Sequence, residues 1–176
     1  MIFFWRDNPA TLEELTLLNE LHAAHAMSSF RNNPSSVAVM NSACGSGNYF
    51  QAMASALLAL GGVHGPLIES YDLLSGKRFD GRQPGWGNSF VKECFDETWR
   101  KVDDLLKLNW PEIYSKIESV TQKLHNAGKL IFPNPSIYTA AVGHAIGVPR
   151  EIVPILFVFS RLEAWGEIFL NNKQIF

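Results

Sequence analysis

The sequence predicts an all-α protein, on three observations. Apolar residues recur at helical spacing, no window shows sustained period-two alternation, and proline and glycine punctuation cuts the chain into helix-length pieces. The run Ile152 to Phe159 is apolar enough for a buried strand, but its continuation favours helix. With 176 residues, 47% of them hydrophobic, the chain suits one domain with ample apolar surface for a packed core. No internal repeat or low-complexity segment appears.

The elements follow in order. Thr11, with Glu14 three residues on, forms a capping box, and Leu12, Leu15, Leu18 and Leu21 follow at helical spacing. This helix continues toward Phe30, and Arg31-Asn32-Asn33-Pro34 ends it. A second helix starts near Pro34 and runs through Met40; Cys44-Gly45-Ser46-Gly47-Asn48 reads as a loop or a helix start. Tyr49 to Leu60 is small and apolar on nearly every face, the pattern of a helix buried in a core or an interface. Gly61-Gly62 stops it, and His64-Gly65-Pro66 leads into a helix over Leu67 to Leu74, with Pro66 suited to the first turn.

The polar, glycine-rich stretch Gly76 to Gly87 reads as a mobile loop. Phe90 to Leu108 reads as one amphipathic helix, with Val91, Cys94, Phe95, Val102, Leu105 and Leu106 on the apolar side. Pro111 opens the next helix, to about Asn126, with Gly128 as its C-cap. After the turn Pro133-Asn134-Pro135, residues Ser136 to Ile146 are helical, with Ser136 as the expected cap. Gly147-Val148-Pro149 ends that helix, and the last one runs from about Arg150 to Leu170.

Composition excludes several classes. Fifteen basic against 17 acidic residues give a net charge of −2, which offers no electrostatic footprint for nucleic acid. Two cysteines, Cys44 and Cys94, make no disulfide framework and no CxxC pair, so a reducing, cytoplasmic setting is expected. The apolar start Met1 to Trp5 meets Arg6-Asp7 at once and is too short for a secretory leader. The stretch Ala52 to Ile68 is broken by Ser55, Gly61-Gly62, His64 and Gly65-Pro66, so no membrane span is expected.

Few residues stand out chemically. His22 and His25 share a helix face at a spacing that can hold a metal, but no acidic or cysteine partner lies nearby, so a surface pair without metal is expected. His64 lies between Gly-Gly and Gly-Pro at a helix start, where glycines admit close approach and the helix N-terminus favours anions. Spacing alone favours a capped turn histidine there over a reactive one. Arg161 sits on a mostly apolar helix, and a buried arginine needs an anionic partner. Sequence alone favours a protein carboxylate over a bound carboxylate ligand.

The order of several segments resembles the citrate synthase superfamily, which includes methylcitrate synthases and citryl-CoA lyases. Those segments are Leu21-His22-Ala23-Ala24-His25 with Ser28-Ser29-Phe30, then Leu60-Gly61-Gly62-Val63-His64-Gly65, then Gly85-Trp86-Gly87-Asn88. Pro133-Asn134-Pro135-Ser136-Ile137-Tyr138, Gly143 to Pro149 and Phe159-Ser160-Arg161-Leu162-Glu163-Ala164-Trp165 complete the series, which covers roughly residues 15 to 170. The resemblance implies a citrate synthase-like helical fold reduced in size. A small lobe at about 76–132 would be inserted in a core of 10–75 and 133–176, and the long apolar helix would form a homodimer interface. It implies an acyl-CoA thioester and a 2-oxo acid as substrates, with no bound cofactor or metal.

By position, the resemblance assigns His64 to stabilising an enolate, His25 to contacting the oxo acid and Arg161 to pairing with a substrate carboxylate. Two positions depart from the family. Ser136 stands where it has a catalytic aspartate, and a serine cannot abstract an α-proton at neutral pH without a base of its own. Asn88 stands where it has a second substrate histidine, and an amide donates a hydrogen bond but carries no charge. An acid such as Glu69, Asp96 or Glu163 could replace the base, but nothing in the sequence places one there, and Arg100 is the nearest match to the family's next arginine. The family's further arginine comes across the dimer from a C-terminal tail, which would begin about where Phe176 lies. The resemblance thus leaves two readings open: an enzyme forming or cleaving a C–C bond, or a non-catalytic homologue with a binding or structural role.

Overall fold

The structure, a computed structural model, describes residues 7–31, 33–61, 65–88 and 94–173. Among these residues every regular element is helical, apart from an isolated antiparallel bridge between Trp86 and Pro133 and a bridge position at Pro9, so the all-α expectation holds. The helices are α1 (Leu12–Ser29), α2 (Pro34–Ser46), α3 (Tyr49–Leu58), α4 (Leu67–Leu74), α5 (Arg100–Asn109), α6 (Pro111–Asn126), α7 (Pro135–Ala145) and α8 (Val153–Asn172). Short 3₁₀ turns, Glu97–Trp99 and Arg150–Ile152, lead into α5 and α8.

Local chemistry sets the boundaries. In α1 the Thr11 hydroxyl accepts from the Glu14 amide while the Glu14 carboxylate accepts from the Thr11 amide, the reciprocal capping box. Helix α2 runs past Met40 to Ser46, because its first stop is Gly47, whose φ of 62° takes the left-handed conformation that closes a helix. The side chain of Asn48 then caps α3 by accepting from the Gln51 amide. Ser136 does not cap α7. That role falls to Asn134, whose side-chain oxygen accepts from the Ser136 amide.

The amphipathic pattern over Phe90 to Leu108 gives a shorter helix than expected. Residues 89–93 lie outside the described residues, Cys94 is exposed, and α5 starts only at Arg100. Asp96 explains the late start. Its carboxylate accepts from the Thr98 amide and opens a 3₁₀ turn instead of continuing a helix.

Helices α1, α4, α7 and α8 pack together, with α5 against α1 and α7 and α6 against α7. Their core buries Leu17, Leu21, Leu74, Trp99, Leu106, Ile137, Tyr138 and Phe157. A second cluster joins α2, α3 and the end of α8 through Val39, Ala43, Ala52, Met53, Ala56, Trp165 and Phe169. Helix α3 buries only this one face. Its other side leaves Phe50 82% and Leu58 86% exposed, with Leu57 also exposed.

Candidate functional site

The loop Gly76 to Gly87, read as mobile from its composition, is held at its far end. Trp86 is buried and its indole N–H donates to the Thr121 hydroxyl at 3.0 Å. The Asn134 amide donates to the Gly85 carbonyl at 2.9 Å, the Gly87 amide to the Phe132 carbonyl at 2.9 Å, and the Asn134 side-chain amide to the Gly87 carbonyl at 2.8 Å. Glycine is required at position 85. Its φ is +89°, and a β-carbon there would lie 2.6 Å from that of Ile137. The end of the loop is thereby tied to the start of α7.

Where the end of this loop meets the N-terminus of α7, the C-terminus of α1 and the middle of α8, a cavity of about 230 Å³ opens. Asn88, Ser136 and Arg161 line it together, beside Gly65 and Pro66. His64, the residue before Gly65, lies outside the described residues. Arg31, Asn33, Arg82, Asp96 and Asn134 also line the cavity, and sequence reasoning had given none of them a substrate-binding role. Arg31 opens the α1 stop signal Arg31-Asn32-Asn33-Pro34 and Asn134 is the cap of α7, so both read first as helix punctuation.

Arg161 is the unusual member. It is 2% exposed, and among the described residues no carboxylate pairs with it, contrary to the expected protein ion pair. Its Nε donates to His25 Nδ1 at 3.3 Å, Nη1 to the Ser35 hydroxyl at 3.5 Å and Nη2 to the Ser28 hydroxyl at 3.5 Å. The guanidinium also lies over the Phe157 ring, 4.2 Å from its centre. Burial pushes its pKa down to about 9, the signature of a charge taken out of water without a counter-charge.

His25 is fully buried and does not line the cavity; it sits behind Arg161. The expected surface pair with His22 is therefore not formed, since His22 is exposed and His25 is not, and among the described residues no cluster of metal-ligating side chains occurs. Burial and then the charge of Arg161 hold the His25 pKa well below 6.5, so the ring is neutral at pH 7.

Arg31 presents the opposite case. Both its Nη atoms donate to the Asp96 carboxylate, and Nη2 donates to the Thr98 hydroxyl at 2.8 Å. Burial pushes the Asp96 pKa up, but hydrogen bonds from Arg31 and Thr98 outweigh it and hold the carboxyl below its ordinary value. Of the three acids considered as a substitute base, Asp96 lines the cavity, whereas Glu69 and Glu163 do not. Arg100 is exposed and pairs with Glu97, so the cavity's further arginines are Arg31 and Arg82.

Among the described residues the lining sets Arg31, Arg82 and Arg161 against the one carboxylate of Asp96, beside a helix N-terminus, an arrangement chemically able to hold a small anion. The architecture that carries it is the citrate synthase fold, and the resemblance read from the sequence is borne out. The family described as citrate synthase, C-terminal domain, matches residues 89–168, a little under half of the chain. Among solved structures, citrate synthase from Thermotoga maritima superposes with a TM-score of 0.74 at 21% identity, covering 98% of this chain and 52% of that one. Citryl-CoA lyase from Hydrogenobacter thermophilus gives 0.72 at 20% identity, covering 94% of this chain and 73% of that one. Citrate synthase from Thermoplasma acidophilum, solved as a ternary complex with carboxymethyl coenzyme A and oxaloacetate, gives 0.70 at 21% identity, covering 96% and 52%. The chain thus spans about half the length of these two citrate synthases, and identities of this size carry the fold alone. No curated protein sequence matches the chain.

Proposed function

We propose that the protein binds a 2-oxo acid and an acyl-CoA in the cavity and forms, or in the reverse sense cleaves, a C–C bond between them. The observation that carries this reading is Arg161, a buried guanidinium at the cavity wall whose hydrogen-bond partners among the described residues are all uncharged. A substrate carboxylate completes its coordination. His64 donates a hydrogen bond to the oxygen of the enolate formed from the acyl-CoA. Asn88 donates to the oxo acid, and the N-terminus of α7, with the Ser136 hydroxyl, faces the charge that develops. No helix among the described residues is long and apolar enough to cross a membrane, and a cytoplasmic setting fits the two cysteines. The small lobe is taken as 76–132. The exposed face of α3, with Phe50, Leu57 and Leu58, is the proposed homodimer interface. Leu58→Glu is expected to give monomers in sedimentation velocity; a monomeric parent protein would defeat the assignment.

One observation favours a second reading, a non-catalytic homologue that binds the same ligands. Asp96 carries the cavity's carboxylate among the described residues, and Arg31 holds it in the weakly basic, ionised form. One assay separates the two. Acetyl-CoA with oxaloacetate, and separately citryl-CoA, are incubated with the protein while thiol release or cleavage is followed. Turnover that His64→Ala abolishes supports the enzyme, and calorimetric binding without turnover supports the second reading. Absence of both sinks the proposal. Ser136→Asp combined with Asn88→His is expected to raise turnover, since it supplies the missing base and imidazole; general bases typically contribute about 10²–10⁴-fold.

A further inference from the structure

His25 and Thr139 lie outside the cavity lining, yet both belong to the chain of hydrogen bonds that ends on Arg161. The Thr139 hydroxyl lies 2.8 Å from the Pro135 carbonyl oxygen. A carbonyl accepts only, so the hydroxyl proton is committed there. Thr139 Oγ1 is also 2.7 Å from His25 Nε2, and with its proton spent it accepts in this second bond. Nε2 therefore carries a proton. In a neutral imidazole that leaves Nδ1 as a lone pair, and Nδ1 is the atom that receives the Arg161 Nε–H at 3.3 Å. The other tautomer would set two N–H groups against each other at Nδ1, and an imidazolium would add a second buried cation.

The remaining contacts fix the ring and the guanidinium plane. Trp99 and Phe157 meet the imidazole edge to face at 4.9 and 4.7 Å, so it cannot turn without displacing both. The Ser28 hydroxyl is spent on the His25 carbonyl and the Ser35 hydroxyl on the Asn33 side chain, so each accepts from Arg161. Of the five guanidinium N–H donors, these bonds occupy one on each nitrogen. The donors that no described residue receives, one on each Nη, suit the two oxygens of a carboxylate.

We propose that Thr139 and His25 are positioning residues. By locking His25 as the Nε2–H tautomer, Thr139 makes Nδ1 the acceptor that orients the Arg161 guanidinium toward a carboxylate in the cavity. The proposal rests on the carboxylate-binding reading above and extends it to two residues that touch no ligand.

Two measurements test it. In the free protein at pH 7, long-range nitrogen-15 correlation of the His25 ring is expected to show the proton on Nε2. An Nδ1–H tautomer or an imidazolium overturns the proposal, whether or not any ligand binds. Calorimetry with oxaloacetate as probe then compares the parent protein with Arg161→Gln, Thr139→Val and Thr139→Ser. Arg161→Gln is expected to abolish binding. Thr139→Val keeps the shape but removes the acceptor, and is expected to weaken binding about tenfold. Thr139→Ser restores the hydroxyl and is expected to bind within about twofold of the parent, a rescue that a packing effect alone does not give. Parent-like affinity in Thr139→Val, or equal losses in the Val and Ser variants, with Arg161→Gln still inactive, overturns the positioning role and leaves carboxylate binding intact. No binding by the parent, or undiminished binding by Arg161→Gln, overturns the carboxylate reading itself.

Discussion

Arg31 and Arg161 border the same cavity under opposite conditions. Arg31 keeps about a third of its side chain in solvent, yet it holds the Asp96 carboxylate with both Nη atoms. Arg161 is almost wholly buried, and among the described residues its partners are hydroxyls, an imidazole nitrogen and an aromatic face. Electrostatics alone would favour the reverse, since removing a charge from water is costly unless an opposite charge goes with it. The pairing at Arg31 ties the end of α1 to the 3₁₀ turn before α5 and is complete without a ligand. The environment of Arg161 orients a charge without neutralising it, which suits a residue whose counter-ion arrives with the substrate.

Removing each arginine in turn is the strongest way to break this comparison. Arg161→Gln is expected to abolish measurable binding of oxaloacetate, a loss of at least about 100-fold in affinity, because a charge-assisted pair to the ligand is removed. Its stability to urea is expected to hold or rise, because the replaced charge has no protein counter-charge. Arg31→Gln is expected to behave the other way. It strips the buried Asp96 carboxylate of its cation and costs about 2 kcal/mol of stability, while its effect on affinity is the smaller of the two. Urea titration and calorimetry on the two variants side by side decide the matter. An Arg161→Gln protein that is the less stable and still binds would reverse the roles assigned here.

The contrast between the two arginines was only partly legible in the sequence. The capping box at Thr11, the proline starts of α2, α6 and α7, and the breaks at Asn33-Pro34 and Gly147 are local signals, and they fixed most helix boundaries. Arg161 stands out in the sequence as a charge on a mostly apolar helix and Ser136 as a departure from the family's aspartate, and both line the cavity. Burial of Arg161 without a carboxylate was not legible, because its neighbours come from α1 and α2, more than a hundred residues away. The Arg31–Asp96 pair was missed for the same reason: 65 residues separate the partners, Arg31 reads locally as part of a helix stop, and Asp96 falls inside an amphipathic helical pattern. Asp96 also broke the amphipathic pattern over Phe90 to Leu108, since capping a 3₁₀ turn and binding Arg31 outweighed the helical spacing of the apolar residues around it.

Acid titration separates the same two regions with a smaller effect. The folded pKa of His25 is depressed below 6.5 by burial and by Arg161, so below pH 6.5 the unfolded chain takes up a proton that the folded one refuses. Its contribution is thus intact above 6.5 and falls away as pH drops toward the lowered folded value, with a slope of at most about 1.4 kcal/mol per pH unit for one proton. Asp96 is also depressed, but from 3.8, so its contribution persists through this range and is lost only as pH falls past 3.8 and through its folded value. His22 and His144 are lowered as well, so the wild-type curve alone does not isolate either group. Differences from variants do. The stability gap between the parent and His25→Gln is expected to change between pH 7 and 5, and the gap between the parent and Asp96→Asn to stay flat there and shrink only near pH 4 and below. If the Asp96 gap already closes between pH 7 and 5, the Arg31 pair is not holding that carboxylate ionised, and the division between a paired and an unpaired arginine fails at its structural end.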